Sequence, residues 1–197
     1  MPSGLVALVQ SILDSPNMPT RRPVVDGHYQ SNIPGLYVIG DLTGAPVVKL
    51  AMEQGAAVAE HIAAQPRSAD PNILDLVVVG SGAAGLNAAL GAQDAGLRVV
   101  VLEKNKIANT IEDFPEGKWV YAEPDSRPPK GKLWLDGASK EDLLARWHQI
   151  IRDTHLDVRT DEGVTQIAKG PAGEFEITTT KGKILAKRAY RQAWRNI

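Results

Sequence analysis

Apolar residues along this chain gather into short blocks separated by turns rich in glycine, proline and polar residues. The block from Leu5 to Leu13 predicts a short helix. "GLYVIG", Gly35 to Gly40, is apolar, β-branched and brief, which predicts a buried strand. Pro46 then stands at a first helical position, where its missing N–H costs nothing. Val48, Met52, Ala56, Ala59 and Ala63 keep helical spacing to about Ala64, and Lys49 and Glu53 sit one turn apart. A polar, proline-containing linker covers 66–73. Beyond it the pattern predicts a strand over Leu74–Val79, a glycine-rich turn, a helix from about Gly82 to Asp94 closed by Gly96, and a strand over Arg98–Glu103.

Residues 105–137 have no period and carry Pro115, Pro124, Pro128 and Pro129. So long an irregular stretch inside a domain is usually functional. Ser139 opens a helix, with Asp142 three residues on as in a capping box and Leu143, Trp147, Ile150 and Ile151 as its apolar stripe. From Asp157 to Tyr190 the chain alternates and breaks at Gly-Pro and Lys-Gly, which predicts an antiparallel meander of three or four strands. The expected fold class is α/β: a Rossmann-like parallel sheet holding Leu36–Gly40, Leu74–Val79 and Arg98–Glu103, with flanking helices and the meander attached.

Composition narrows the functions. A formal net charge of −1 offers neither a basic face for nucleic acid nor a polybasic membrane patch. The absence of cysteine excludes disulfides, thiolate metal sites, iron–sulfur clusters and a Cys-x-x-Cys redox pair. His28, His61, His148 and His155 are scattered without ligand spacing, so no metal site is expected. No G-x-S-x-G is present to support serine hydrolysis. The N-terminal apolar run has no Lys or Arg before it and is too short to span a bilayer, which leads to the expectation of a cytoplasmic protein.

The most informative stretch is Gly80-Ser81-Gly82-Ala83-Ala84-Gly85, a G-x-G-x-x-G between an apolar strand and a helix. Gly80 permits the sharp turn, Gly82 lets a diphosphate approach the backbone, and Gly85 lets the helix lie close to the sheet. The amides of Ala83 and Ala84 at the helix start would face the phosphates. Glu103 follows Gly85 by 18 residues, at the end of the next strand, beside Lys104. A carboxylate there accepts hydrogen bonds from a ribose diol and repels a 2′-phosphate. These residues admit FAD and NAD alike.

Val77 to Lys104 resembles the N-terminal FAD motif of the thioredoxin-reductase-like, pyridine nucleotide-disulfide oxidoreductase superfamily. "SNIPGLYVIGDLTGAPVVKLAMEQGAAVAEHI" resembles the C-terminal FAD motif of the same superfamily, here placed first along the chain. The resemblance implies that the strand ending at Gly40 delivers Asp41 to the ribityl chain. It also implies that the helix start at Val47 and Val48 points its dipole at the flavin pyrimidine end, stabilising the anionic reduced flavin. By the same resemblance Asn109 and Thr110 contact the cofactor. Trp119, Tyr121 and Trp134 would wall the flavin or fill the core, the core being the favoured reading. The implied activity is FAD-dependent oxidoreduction, with NAD(P)H as the donor. Asp41 also suits a plain turn acid.

The chain departs from the family in three ways. Only one G-x-G-x-x-G exists, so no NAD(P)H domain is visible; there is no redox dithiol; and "KILAKRAYRQAWRNI" puts basic and aromatic residues where an apolar closing strand is expected. These departures point to a rearranged or truncated member. Segment 1–65 and segment 74–197 would form one composite domain, or a tandem fusion of two half-modules. Expected partners are the dinucleotide and either a second copy or a missing NAD(P)H domain. Two other readings stay open: a non-catalytic remnant or interaction module, and an NAD-binding subunit.

Overall fold

The computed structural model describes residues 23–45, 47–123 and 128–191. The helix expected at Leu5–Leu13 and the placement of Pro46 lie outside them. In chain order the strands and helices are β1 (Leu36–Val38), α1 (Val48–Ala63), β2 (Leu76–Val79), α2 (Ala83–Asp94), β3 (Val99–Leu102), α3 (Asn109–Glu112), β4 (Trp119–Val120), β5 (Ala138–Ser139), α4 (Lys140–Thr154), β6 (Val158–Arg159), β7 (Val164–Lys169), β8 (Phe175–Thr179), β9 (Gly182–Ala186) and β10 (Ala189–Arg191).

Five strands form one parallel sheet in the order β1-β10-β2-β3-β6. Because side chains alternate along a strand, the sheet buries two different faces. Tyr37, Val78, Val101 and Tyr190 join the core on the helical side, with α1, α2 and α4. Val77, Val100, Leu102 and Ala189 meet Phe175, Ile177 and Ala186 of the antiparallel meander β7-β8-β9 on the other. The chain is therefore layered as helices, parallel sheet and meander.

Two segments differ from the expectation. Val158 and Arg159 were read into the meander but extend the parallel sheet beside β3. "AKRAYR" was read as replacing the closing strand, yet Ala189–Arg191 forms that strand and pairs on both sides, Tyr190 standing opposite Tyr37 and Val78. Its basic neighbours find carbonyls on the linker. Arg188 Nη2 donates to Pro66 O at 3.0 Å, its Nε to Gln65 Oε1 at 2.9 Å, and Lys187 Nζ to Arg67 O at 3.0 Å. The cationic ends thus leave the strand at its entrance while Ala189 and Tyr190 are fully buried.

α1 packs along α2 with little space between them. A Cβ on Gly55 would strike Ala84 O and reach Ala88 N at 3.0 Å, and one on Gly91 would reach Ala59 Cβ at 2.8 Å. The buried face of α1 includes Ala51, Met52, Gly55, Ala56, Val58, Ala59 and Ile62, wider than the expected stripe, and it also takes in Lys49, whose Nζ donates to Ala122 O at 2.8 Å. Ser139 caps α4 as expected, its Oγ accepting from Asp142 N at 3.1 Å.

Candidate dinucleotide site

In a parallel sheet every strand delivers its C-terminal end to the same edge, and ligands of such sheets bind there. Here that edge carries the turn after β1, the turn after β2 and the end of β3.

After β1 the chain enters a single 3₁₀ turn, Gly40–Thr43, flanked by Gly40 at φ 83° and Gly44 at φ 84°, a backbone state that favours glycine. Gln54 of α1 holds this turn: its Oε1 accepts from Gly40 N at 2.7 Å and from Thr43 Oγ1 at 3.0 Å. Asp41 sits at the rim, exposed. Its carboxyl is raised above the usual aspartate range by desolvation. None of the described donors bonds to that carboxylate. α1 then begins at an extended Val47 with no side-chain cap and no acid in its first turn.

After β2, Gly80 turns the chain at φ 103°. Gly82 is the N-cap of α2, extended at φ −74° and ψ −179°, and supplies no side-chain cap. Two helix starts whose N-cap residues supply no side-chain cap therefore stand at one sheet edge, each with the positive end of a dipole. Gly85 is required by packing. A Cβ there would strike Gly80 O and come within 3.1 Å of Val78 Cγ1 and 3.2 Å of Tyr190 Cε1.

Glu103 ties the end of β3 to the glycine turn. Its Oε2 accepts from Ser81 N and Ser81 Oγ, both at 2.9 Å, and its Oε1 accepts from Asn105 N at 2.9 Å. A carboxylate has about four lone-pair sites, so three donors leave room for a ribose hydroxyl. Ala108 N in turn donates to Ser81 O at 3.1 Å, which seats the start of α3 beside the turn. Beyond Glu103 a cleft of about 310 Å³ is lined by Asn105, Lys106, Ile107, His148, Thr160 and Asp161 among others.

The structure thus gathers Gly80, Gly82, Ala83, Ala84, Gly85 and Glu103 around one turn. It brings Gly40, Asp41, Val47 and Val48 to the same edge. Lys104 and Thr110 are exposed, and Asn109 is half-buried with its Nδ2 donating to Asp113 Oδ2 at 2.7 Å. Trp119 and Tyr121, favoured for the core, are instead 49% and 63% exposed, edge to face with centroids 6.5 Å apart. Trp134 packs against the core, with the Arg146 guanidinium 4.3 Å from its ring centroid. Two polar residues of this region had not been singled out. Ser81 lay inside the glycine motif as an unspecified position, and Tyr190 lay in a stretch read for its basic and aromatic character as a whole.

No curated protein sequence matches the chain. Among solved structures it is similar to the bacillithiol disulfide reductase of Staphylococcus aureus, with 20% identity and a TM-score of 0.52 over 62% of this chain and 39% of that one. The corresponding enzyme of Bacillus cereus gives 22% identity and a TM-score of 0.52 over 60% and 39%. An oxidised steroid monooxygenase bound to NADP gives 23% and 0.50 over 60% and 25%. At these identities the likeness is one of fold, and the chain spans well under half the length of each. A family profile, described as pyridine nucleotide-disulphide oxidoreductase, matches residues 77–189, more than half of the chain. The chain belongs to the pyridine nucleotide-disulphide oxidoreductase family.

Proposed function

We propose that this chain is the FAD-binding part of a flavin-dependent oxidoreductase. One observation carries the reading: two glycine-marked strand ends, each followed by a helix start, lie at the same edge of one parallel sheet. The residues fit FAD by one further feature: Gly85 keeps α2 close enough to the sheet for its amides to meet a diphosphate.

In this reading the start of α2, from Gly82 to Gly85, holds the diphosphate, and Glu103 accepts from the adenosine ribose. The cleft lined by Asn105, Ile107 and His148 adjoins Glu103 on the adenine side. Asp41 accepts from the ribityl chain, and the dipole of α1 faces the far end of the flavin. When bound, the flavin supplies hydride and electron transfer. The protein orients it and keeps water from the diphosphate. The electron donor would be NAD(P)H, presented by another polypeptide segment or by a partner, and the setting would be cytoplasmic. None of the described helices is long and apolar enough to cross a membrane.

Thermal unfolding with added nucleotide tests this. FAD at about a hundred times its dissociation constant should add about 2.7 kcal/mol, which raises Tm by about 5–10 °C in a chain of this size. Gly82→Val should remove the shift, because valine suits the extended backbone of Gly82 but its side chain fills the phosphate approach. A shift with NAD and none with FAD would replace the reading by a nicotinamide site. No shift with either would leave a fold without a cofactor.

A further inference from the structure

At the entrance of β10, away from the proposed site, α1 runs out into the linker. Gln65 joins three elements there. Its Oε1 accepts from Arg188 Nε at 2.9 Å, and a guanidinium can only donate, which fixes the orientation of the amide. Its Nε2 therefore faces the other way, donating to Tyr37 Oη at 3.2 Å and meeting His61 Nε2 at 2.6 Å. An amide NH2 has no lone pair to offer, so His61 Nε2 is the acceptor and the ring is neutral, with its proton on Nδ1. The His28 ring stacks on His61, 15° from parallel with centroids 4.0 Å apart, and the Tyr37 ring stands edge-on at 5.9 Å. His28 is seated by the turn 25–31. The Asp26 carboxylate closes that turn, accepting from His28 N at 2.8 Å and Gln30 N at 2.9 Å, and the Gln30–Tyr37 bridge ties it to β1. His28 is exposed and His61 half-buried, so protons reach both rings.

We propose that His61 is a proton-operated latch: neutral, it accepts from Gln65 and fastens the end of α1 and the linker to β10, and protonated, it releases Gln65 and loosens the linker. A proton on Nε2 would set N–H against N–H. Turning the Gln65 amide over would relieve that clash only by setting its NH2 against the buried Arg188, so the relay has one orientation. The groups facing His61 are His28 and Asp26 from the turn, Tyr37 from β1, Arg188 from the entrance of β10, and the carbonyl end of its own helix. Asp26 and the helix end favour a proton. Burial first, then the His28 ring and the Arg188 charge, outweigh them and hold His61 below the ordinary histidine range. A depressed folded-state value means that the latch is fully closed above the unfolded value of about 6.5 and is lost as pH falls from there through the folded one.

Histidine NMR titration and amide hydrogen exchange of the whole chain test this without any cofactor. The His61 ring resonance of the parent should titrate with a midpoint below about 6.5. In Gln65→Glu the side chain accepts both from Arg188 and from a protonated His61, so the midpoint should move above that value, a reversal that a merely structural glutamine would not give. Amide exchange over residues 65–75, corrected for its intrinsic pH dependence, should quicken relative to α2 when the parent is taken from about pH 7.5 to about pH 5.5. His61→Gln keeps an acceptor for Gln65 but takes no proton, so the quickening should be absent. A parent midpoint at or above about 6.5, or a midpoint unmoved in Gln65→Glu, would overturn the latch. Linker exchange that ignores pH in the parent, or that quickens equally in His61→Gln, would overturn it too.

Discussion

Asp75, at the foot of β2, is buried, and both carboxylate oxygens are used. Oδ1 accepts from Ser68 N at 2.6 Å, Oδ2 from Arg98 N at 3.0 Å, and Arg98 Nε lies 3.6 Å away. Burial alone would raise its pKa. The two backbone hydrogen bonds and the Arg98 charge outweigh burial and hold the carboxyl below its usual range. A depressed folded-state value means that the stabilisation is fully present above the unfolded aspartate value of about 3.9 and is lost as pH falls through the folded one. We therefore expect a loss of stability below about pH 4 that Asp75→Asn flattens, measured as urea midpoints across pH 3–7. At neutral pH the same variant should cost about 1–3 kcal/mol, because an amide cannot accept from both N–H groups. A pH profile identical in the two proteins would contradict this role. Such residues are hard to read from sequence because their partners lie elsewhere. Asn87 is similar: Nδ2 donates to Met52 O and Lys130 O, and Oδ1 accepts from Lys132 N and Leu133 N. Glu103 was legible because its motif fixes the spacing to the glycine turn.

Among the elements, α1 and α2 are joined through small residues, and at Gly55 a Cβ would meet the backbone of α2. A valine there would strike Ala84 O and force the helices apart. Gly55→Val should cost at least about 1–3 kcal/mol, as overpacking does, seen as a lower urea midpoint with unchanged slope. An unaltered midpoint would mean that the helices are not held this closely. Both helices, and the strands around the glycine turn, were legible because periodicity and punctuation agreed over ten or more residues. The misread strands are short. β6 has two residues and β10 three, too few to show a period, and β10 follows Arg188 and ends in Arg191. Strands of this length are defined by the neighbours they pair with, which tertiary structure alone supplies.

Over the whole molecule, the segment that resembles the C-terminal FAD motif comes first, and the sheet brings its strand beside the others. β10, the last strand described, stands between β1 and β2 and joins the two motifs. The α/β class, the parallel sheet and the meander were legible from pattern, whereas this strand order was not. Nothing in the sequence marks Ala189–Arg191 as the strand that lies between the two motifs.

The central claim is that the turn after β1 and the turn after β2 serve one FAD molecule. Isothermal titration of Asp41→Ala with FAD and with ADP tests it most directly. The account predicts FAD affinity reduced about ten- to hundredfold, the loss of one hydrogen bond to a carboxylate, with ADP affinity unchanged because ADP lacks the ribityl chain. FAD bound by Asp41→Ala as tightly as by the parent would contradict it.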